Sequence, residues 1–390
     1  MSEWKTVILG DVCEIQSGGT PSRSKTEYWK NGTIPWVKIG DFSGKYLNKT
    51  TEHITPKGLE NSSAKLFSKG TILYSIFATL GEATILNIDA TTNQAIAGIK
   101  IKDKSSIDID YLFAYLNSLK EEVNRIGRGV AQNNINLSIL KSFTVPLPPL
   151  ETQKYIAAVL DKCSALIAKH KQMLEKYDTL IKSRFIEMFG DNPVENGKWK
   201  VEKLGNLVTV TSSKRIYAEE QSTEGIPFLR ISDLVSKING IDSNDLYIPE
   251  EKYHEFVENG LVPNVDDILV TSRGTLGLCY TITADDKFYF QDGMITWLKF
   301  SNHESILSIF LSFLFNVILK QKIDLKTNGA TVKYVSISEL KNLEIPVPPL
   351  ELQQQFAAFV QQIDKSKFVV QKSLEKAETL YKSLMQEYFG

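Results

Sequence analysis

Cysteine and histidine are scarce. Cys13, Cys163 and Cys279 lie far apart, and His53, His170, His254 and His303 are scattered. No pair among them has the spacing of a zinc site. Three cysteines leave one unpaired in any disulfide scheme, so a reducing cytoplasm is the expected compartment. Long apolar runs are lacking too. The strongest, Ile306 to Leu319, falls short of the ~18 residues a membrane span needs and carries Ser308, Ser312 and Asn316. It reads as a buried helix, and no membrane partner is expected. Met1 to Lys5 has no apolar stretch of the kind that opens a secretory signal.

Excess charge of either sign is absent. Lys and Arg total 45 against 46 Asp and Glu, a net charge of -1. A nucleic-acid binder with this balance has to gather its cations on one face. Catalytic constellations are missing as well. No glycine-rich loop ends in Lys-Ser or Lys-Thr to cradle phosphates. The Pro-Pro pairs lack the preceding Asn or Asp and the following aromatic that an adenine methyltransferase requires. Glu121-Glu122, Asp266-Asp267 and Asp285-Asp286 read as solvated turns or helix faces. The expectation is a chain with no catalytic, cofactor or metal site of its own.

What the sequence does contain is a duplication. Val145-Pro-Leu-Pro-Pro-Leu-Glu151 recurs as Ile345-Pro-Val-Pro-Pro-Leu-Glu351, a displacement of 200 residues, and Phe189-Gly190 recurs as Phe389-Gly390. Upstream the match is looser and the offset drifts. Ile34-Pro35-Trp36-Val37-Lys38-Ile39 resembles Ile226-Pro227-Phe228-Leu229-Arg230-Ile231, and Leu80-Gly81 resembles Leu276-Gly277. At 390 residues the chain exceeds one ordinary domain. The repeat divides it into a variable domain at 1–148, a helical region at 149–190, a second variable domain at 191–348 and a second helical region at 349–390.

Each tail has a 4-3-4-3 apolar rhythm. Ile156, Leu160, Cys163, Ile167, Leu174, Tyr177 and Ile181 form one stripe; Phe356, Val360, Ile363, Val370, Leu374, Tyr381 and Leu384 form the other. A period of 3.5 is that of a supercoiled helix pair. About 38 residues at 1.5 Å per residue give a rod of roughly 57 Å. His170 and Lys367 also fall on the stripes; His170 reads as a polar core position that fixes register or as a stripe residue at the exposed edge. Two such helices in one chain can pair with each other; antiparallel pairing would relate the copies by a pseudo-twofold axis.

Both variable domains combine short β-rich runs with one late helix, Ile109 to Ile126 in the first and Ser305 to Ile323 in the second. The expected fold class is α+β: two domains of mixed sheet plus helix, joined by two long helices that form a coiled coil, with the period leaving the direction of pairing open. Polar and basic loops interrupt the strands. The first copy offers Thr20, Ser22, Arg23, Ser24, Lys38, Arg125, Arg128, Gln132, Asn133 and Asn134. The second offers Ser212, Ser213, Lys214, Arg215, Arg230, Ser272, Arg273, Thr275, Lys326, Asn328, Thr331, Lys333 and Tyr334. Such side chains suit duplex DNA: Arg forks onto guanine, Asn and Gln onto adenine, and Lys, Ser and Thr reach phosphate.

The Trp-Lys…Leu-Gly opening, Ile34 to Asp41 and the Pro-Leu-Pro-Pro-Leu-Glu-x-Gln element before each long helix resemble type I restriction-modification specificity subunits along the whole chain. That resemblance implies two target-recognition domains reading the halves of a split DNA sequence, with the two long helices paired as an antiparallel coiled coil that sets the unread spacer. It implies two methyltransferase (modification) subunits docked on the helices and motor-nuclease (restriction) subunits joining them. Glu175, Lys176, Lys182 and Glu187, with Glu375, Lys376, Lys382 and Glu387, lie off the stripes and are the expected docking residues. S-adenosylmethionine, ATP and magnesium would belong to those subunits. Two other readings stay open: a coiled-coil scaffold carrying two protein-binding domains, and a stand-alone DNA-binding regulator.

Overall fold

The computed structural model describes residues 4–128, 134–241, 243–301, 304–316 and 334–390. The chain forms two compact units, one of Met1–Lys171 with Lys372–Gly390 and the other of Gln172–Gln371. The two long helices, Leu150–Phe189 and Leu350–Phe389, each run 40 residues and are each divided between the units. Every unit therefore contains the start of one long helix and the end of the other.

In the first unit the central sheet has the order Cys13–Ser17, Ile96–Ile101, Ile72–Ser75, Ala83–Leu86, Tyr46–Leu47. All pairings are antiparallel except the last. A smaller sheet places Ile34–Val37 between Glu52–Ile54 and Thr91–Thr92. The central strands of the main sheet are rich in isoleucine and buried on both faces, which suits β-branched residues on a pleated surface. The second unit repeats the plan with one strand fewer, in the order Thr209–Thr211, Ile295–Lys299, Ile268–Thr271, Cys279–Thr281. Its small sheet again puts one strand, Ile226–Leu229, between an antiparallel and a parallel neighbour.

The late helix of the first domain is two helices, Ile109–Ser118 and Lys120–Arg128, where the apolar pattern predicts one. The break has a packing cause. Gly81, at φ +81°, presses on the chain at Lys120, where even a Cβ would come within 3.0 Å of the Lys120 Cα. The Lys120 ammonium then pairs with Glu82 at 2.5 Å.

The Pro-Pro-Leu-Glu-x-Gln element has a physical explanation. Gln153 is fully buried. Its amide accepts from the Asp108 N–H (2.9 Å) and donates to the carbonyls of Ser106 (3.0 Å) and Pro148 (2.8 Å). Gln353 does the same with Leu307 N–H (2.9 Å), Ser305 (3.0 Å) and Pro348 (2.9 Å). Each glutamine thus ties the start of a long helix to the loop before the domain's late helix. It satisfies backbone groups that burial would otherwise strand.

The apolar stripes lie where the 3.5 period puts them. Ile156, Leu160, Ile181, Phe356, Val360, Ile363, Val370, Leu374 and Ala377 are buried. Cys163, Ile167, His170, Leu174, Tyr177, Lys367, Tyr381 and Leu384 are half-buried. The helices pair antiparallel within each unit. In the first, Ile156, Ala157 and Leu160 pack with Tyr381, Leu384 and Tyr388, and Lys171 meets Glu378 at 3.0 Å. In the second, Asp178 accepts from Lys367 at 2.7 Å while Phe185 meets Phe356 at 5.5 Å between ring centroids. Numbers rise along one helix as they fall along the other.

The helix ends plug the units. Phe189 sits against Phe310 (4.9 Å), Phe185 (5.0 Å), Phe356 (5.7 Å) and Trp199 (6.2 Å) in the second unit. Phe389 sits against Tyr111 and Tyr115, each at 5.5 Å, in the first. Burying one such ring contributes about 2–3 kcal/mol.

Candidate nucleic-acid interface

A run of hydrogen bonds ties five segments together at one end of the first domain's sheet. Backbone N–H groups of Ile135, Ile76, Gly18, Gly19 and Asn93 donate to the carbonyls of Ile76 (3.0 Å), Ala95 (2.9 Å), Ile96 (3.0 Å), Thr92 (2.9 Å) and Val37 (3.2 Å). Gly18 has no room for a side chain, because a Cβ would stand 1.9 Å from Thr92 Oγ1. The second domain builds the same seam with other atoms. Val335, Ser272 and Gln291 N–H groups donate to the carbonyls of Ser272 (3.0 Å), Met294 (2.9 Å) and Leu229 (2.9 Å). Gly293 N–H donates to Ser212 Oγ (3.2 Å) and Lys214 N–H to the Tyr289 hydroxyl (2.8 Å).

Along the first seam, Arg23 is held by three partners. Its guanidinium lies 3.6 Å from the Trp29 ring centroid and 4.7 Å from that of Trp36, and it pairs with Glu52 at 2.5 Å. Glu52 also accepts from Lys38 at 2.5 Å. The Lys38 hydrogen bond first, then that of Arg23, holds the Glu52 carboxyl below the usual range. Trp29 and Trp36 donate their indole N–H groups to the carbonyls of Ser22 (3.2 Å) and Gly19 (3.1 Å), which shapes the loop carrying Arg23. Thr20 bonds Gln94 Oε1 at 2.5 Å, and the Ser22 and Ser24 hydroxyls share a 2.8 Å bond. An arginine stacked and paired this way loses little freedom when it meets an acceptor.

The second seam carries more cations. Arg215 donates to Asp292 at 2.8 Å, where the first domain has the Thr20–Gln94 pair. Arg230, the counterpart of Lys38, pairs with Asp233 at 2.9 Å and Asp245 at 2.5 Å. Lys214 stands 3.9 Å from Glu255. Ser212 spans the seam, and the Ser213 hydroxyl is buried without a hydrogen-bond partner. On both seams, Arg23, Lys38, Lys214, Arg215 and Arg230 carry acidic partners.

A tight loop projects between Ile72–Ser75 and Ala83–Leu86 in the first domain and between Ile268–Thr271 and Cys279–Thr281 in the second. Ser75 Oγ bonds the Thr79 carbonyl (2.5 Å) and accepts from Glu82 N–H (2.8 Å). Thr271 Oγ1 bonds the Thr275 carbonyl (2.5 Å) and accepts from Leu278 N–H (2.9 Å). Ala78 at φ +63° matches Gly274 at φ +73°. The residue just before is Phe77 in one loop and Arg273 in the other, both exposed. Phe77 bridges to Asn134 and Arg273 to Tyr334.

The structure thus gathers Thr20, Ser22, Arg23, Ser24, Lys38 and Asn134 on or beside one seam, and Ser212, Ser213, Lys214, Arg215, Arg230, Ser272, Arg273, Thr275 and Tyr334 on the other. Arg125 is exposed on the helix Lys120–Arg128, which Asn124 fastens to the Leu80 carbonyl at 3.1 Å. Ser272 is 2% exposed and its hydroxyl meets that of Thr296 at 2.6 Å, so it positions the loop and does not face outward. Gln132, Asn133, Lys326, Asn328, Thr331 and Lys333, with the Arg128 side chain, lie outside the described residues. Sequence reasoning missed Trp29, Trp36, Glu52 and Phe77. Counting back four positions from the repeated Gly81 and Gly277 does align Phe77 with Arg273. The eight expected docking residues on the long helices are all exposed.

Two of the three cysteines, Cys13 and Cys279, are buried. Burial pushes the Cys13 thiol up to about 12, opposed by Lys102, and pushes Cys279 up as well. No group of three or more His, Cys, Asp or Glu among the described residues could hold a metal ion.

The profile of the type I restriction modification DNA specificity domain matches residues 1–176 and again 196–378. The chain is 26% identical over 397 residues to the type I restriction enzyme MjaIX specificity subunit of Methanocaldococcus jannaschii, covering 92% of this chain and 86% of the relative. It is 28% identical over 233 residues to the EcoprrI specificity subunit of Escherichia coli, covering 55% and 56%. The crystal structure of a type I restriction-modification S subunit from M. genitalium shares its fold, with a TM-score of 0.62 at 18% identity over 100% of this chain and 96% of that one.

Proposed function

Since the chain belongs to the type I restriction-modification DNA specificity family, we propose that it reads a split, asymmetric DNA target, with one half-site bound at each seam. The observation that carries this reading is the repeated seam: the same backbone frame is present twice and carries different side chains. Two different readers on one repeated frame select two different half-sites, whereas identical readers would select a palindrome. The paired arginines contact bases and phosphates by exchanging their carboxylate partners for DNA acceptors.

The chain itself carries out no chemistry in this reading. The exposed Glu175, Lys176, Lys182 and Glu187, with their counterparts Glu375, Lys376, Lys382 and Glu387, dock two adenine-methylating subunits. Motor-nuclease subunits complete the complex in the cytoplasm, and the long helices set the spacer. S-adenosylmethionine, ATP and magnesium are held by those subunits.

The test is adenine-methylation mapping in cells co-expressing this chain with its neighbouring methyltransferase subunit. A split motif with a fixed spacer, lost when this chain is omitted, is the expected result. A stable complex with an active methylating subunit and no motif would overturn the reading. Salt-independent association with DNA would favour the scaffold instead, because phosphate contacts release counterions.

A further inference from the structure

The two projecting loops share a backbone and exchange their chemistry. In the first domain the loop tip is aromatic, Phe77, and its bridged neighbour is an amide, Asn134. In the second the tip is a guanidinium, Arg273, and its neighbour is aromatic, Tyr334. Phe77 is 43% exposed and Tyr334 48%, and neither ring joins the apolar clusters of its unit among the described residues. Each domain therefore presents one solvent-facing ring beside one forked hydrogen-bonding group.

The backbone holds these pairs firmly. Ile135 N–H donates to Ile76 O and Val335 N–H to Ser272 O, each at 3.0 Å, beside the bridge. Ala78 adopts a left-handed φ where its counterpart is glycine. That conformation disfavours a side chain, and the seam holds it there all the same.

We propose that each bridged pair is a base-reading head for double-stranded DNA: Asn134 with Phe77 selects an A·T pair in the first half-site, and Arg273 with Tyr334 selects a G·C pair in the second. The chemistry follows from the forks. A carboxamide matches the acceptor and donor on the major-groove edge of adenine, and a guanidinium matches the two acceptors of guanine. The ring beside each fork covers the neighbouring base step or a thymine methyl and keeps water from competing for the fork. The proposal rests on the half-site reading above and adds a base identity at a named place in each half.

The test uses the complete chain assembled with its methylating subunits. Asn134→Ala and Arg273→Ala are mapped against the unaltered complex by methylation, and by competition binding to duplexes with single base-pair changes. Asn134→Ala is expected to make one A·T position of one half-site degenerate, and Arg273→Ala one G·C position of the other. In each variant the spacer and the untouched half-site persist, which shows the protein folded. Discrimination at the affected position should fall by roughly 10- to 100-fold. Phe77→Ala should relax the same half-site as Asn134→Ala. Unaltered motifs and unaltered discrimination in both alanine variants overturn the reading heads while leaving the half-site reading intact. So does relaxation at the opposite base-pair type. An unaltered complex that yields no motif overturns both.

Discussion

The two units repeat one frame but differ in how they spend their polar and aromatic groups. In the second, Phe189 is fully buried in a cluster of phenylalanines and Trp199. In the first, Phe389 is only half-buried, between two tyrosines. The buried glutamines at the helix starts are alike in every bond. The seams differ most: the first concentrates Arg23 and Lys38 on one carboxylate, with two tryptophan rings against Arg23, and the second distributes Arg215, Arg230 and Lys214 over several. The glutamine tie inside each copy stays the same, and the side chains on the seams diverge. Packing tolerates little variation, whereas a binding surface gains from it.

The comparison is sharpest at the helix ends. Phe189→Ala is expected to destabilise its unit by about 3–5 kcal/mol, and Phe389→Ala by clearly less. Denaturant unfolding of the two variants measures this; equal losses would mean the plugs are equivalent despite their different burial. The glutamines make the opposite prediction. Gln153→Ala and Gln353→Ala should each cost about 1–3 kcal/mol, and by similar amounts, since each strands buried backbone groups. A large difference between them in the same assay breaks the equivalence of the two helix starts.

The seams come next. Arg23→Ala should weaken cognate binding by about 1–3 kcal/mol, as expected for a forked base contact. Glu52→Gln should instead tighten binding to unrelated DNA, because it removes the anion that Arg23 and Lys38 share. Salt titrations of binding check both, and weaker non-specific binding of the Glu52 variant would contradict the account. Within the helix pair, His170 has a buried Nδ1 without a partner, where its repeat counterpart is Val370. His170→Val should stabilise by about 1 kcal/mol, visible as a higher Tm. The smallest effect concerns Asp364, whose counterpart is Ser164. Although Asp364 is exposed, partial desolvation raises its carboxyl above the usual range; Lys367 opposes this and Asp178 adds to it. A raised carboxyl weakens the folded state while ionised, and that penalty vanishes as the pH falls through its folded value to below the unfolded one. Asp364→Asn should therefore raise Tm at neutral pH and lose that advantage in acid.

Much of this architecture was legible in the residues. The ungapped repeat from Val145 to Phe189 and from Ile345 to Phe389 marked both helices, and their period marked the stripes. The β-rich runs, such as Ile34 to Ile39 and Ala95 to Lys102, became the strands Ile34–Val37 and Ile96–Ile101, shortened by a residue or two at their ends. The strand Cys13–Ser17 was not legible, since its alternation is brief and its pairing partner lies far along the chain. The partners of Arg23 were hidden for the same reason: Glu52 and Trp36 reach it only once the small sheet forms.

Sequence alone determined the duplication, the helix period, the absence of a catalytic motif and the types of side chain the loops carry, because each of these is a local property or a simple recurrence. Tertiary structure alone decided that the helices pair antiparallel within each unit, that each helix end plugs a unit it does not begin in, and that Phe77 bridges to Asn134 on one seam while Arg273 bridges to Tyr334 on the other. Those facts depend on contacts between residues distant along the chain, and such contacts exist only after burial and backbone hydrogen bonding have brought the strands together.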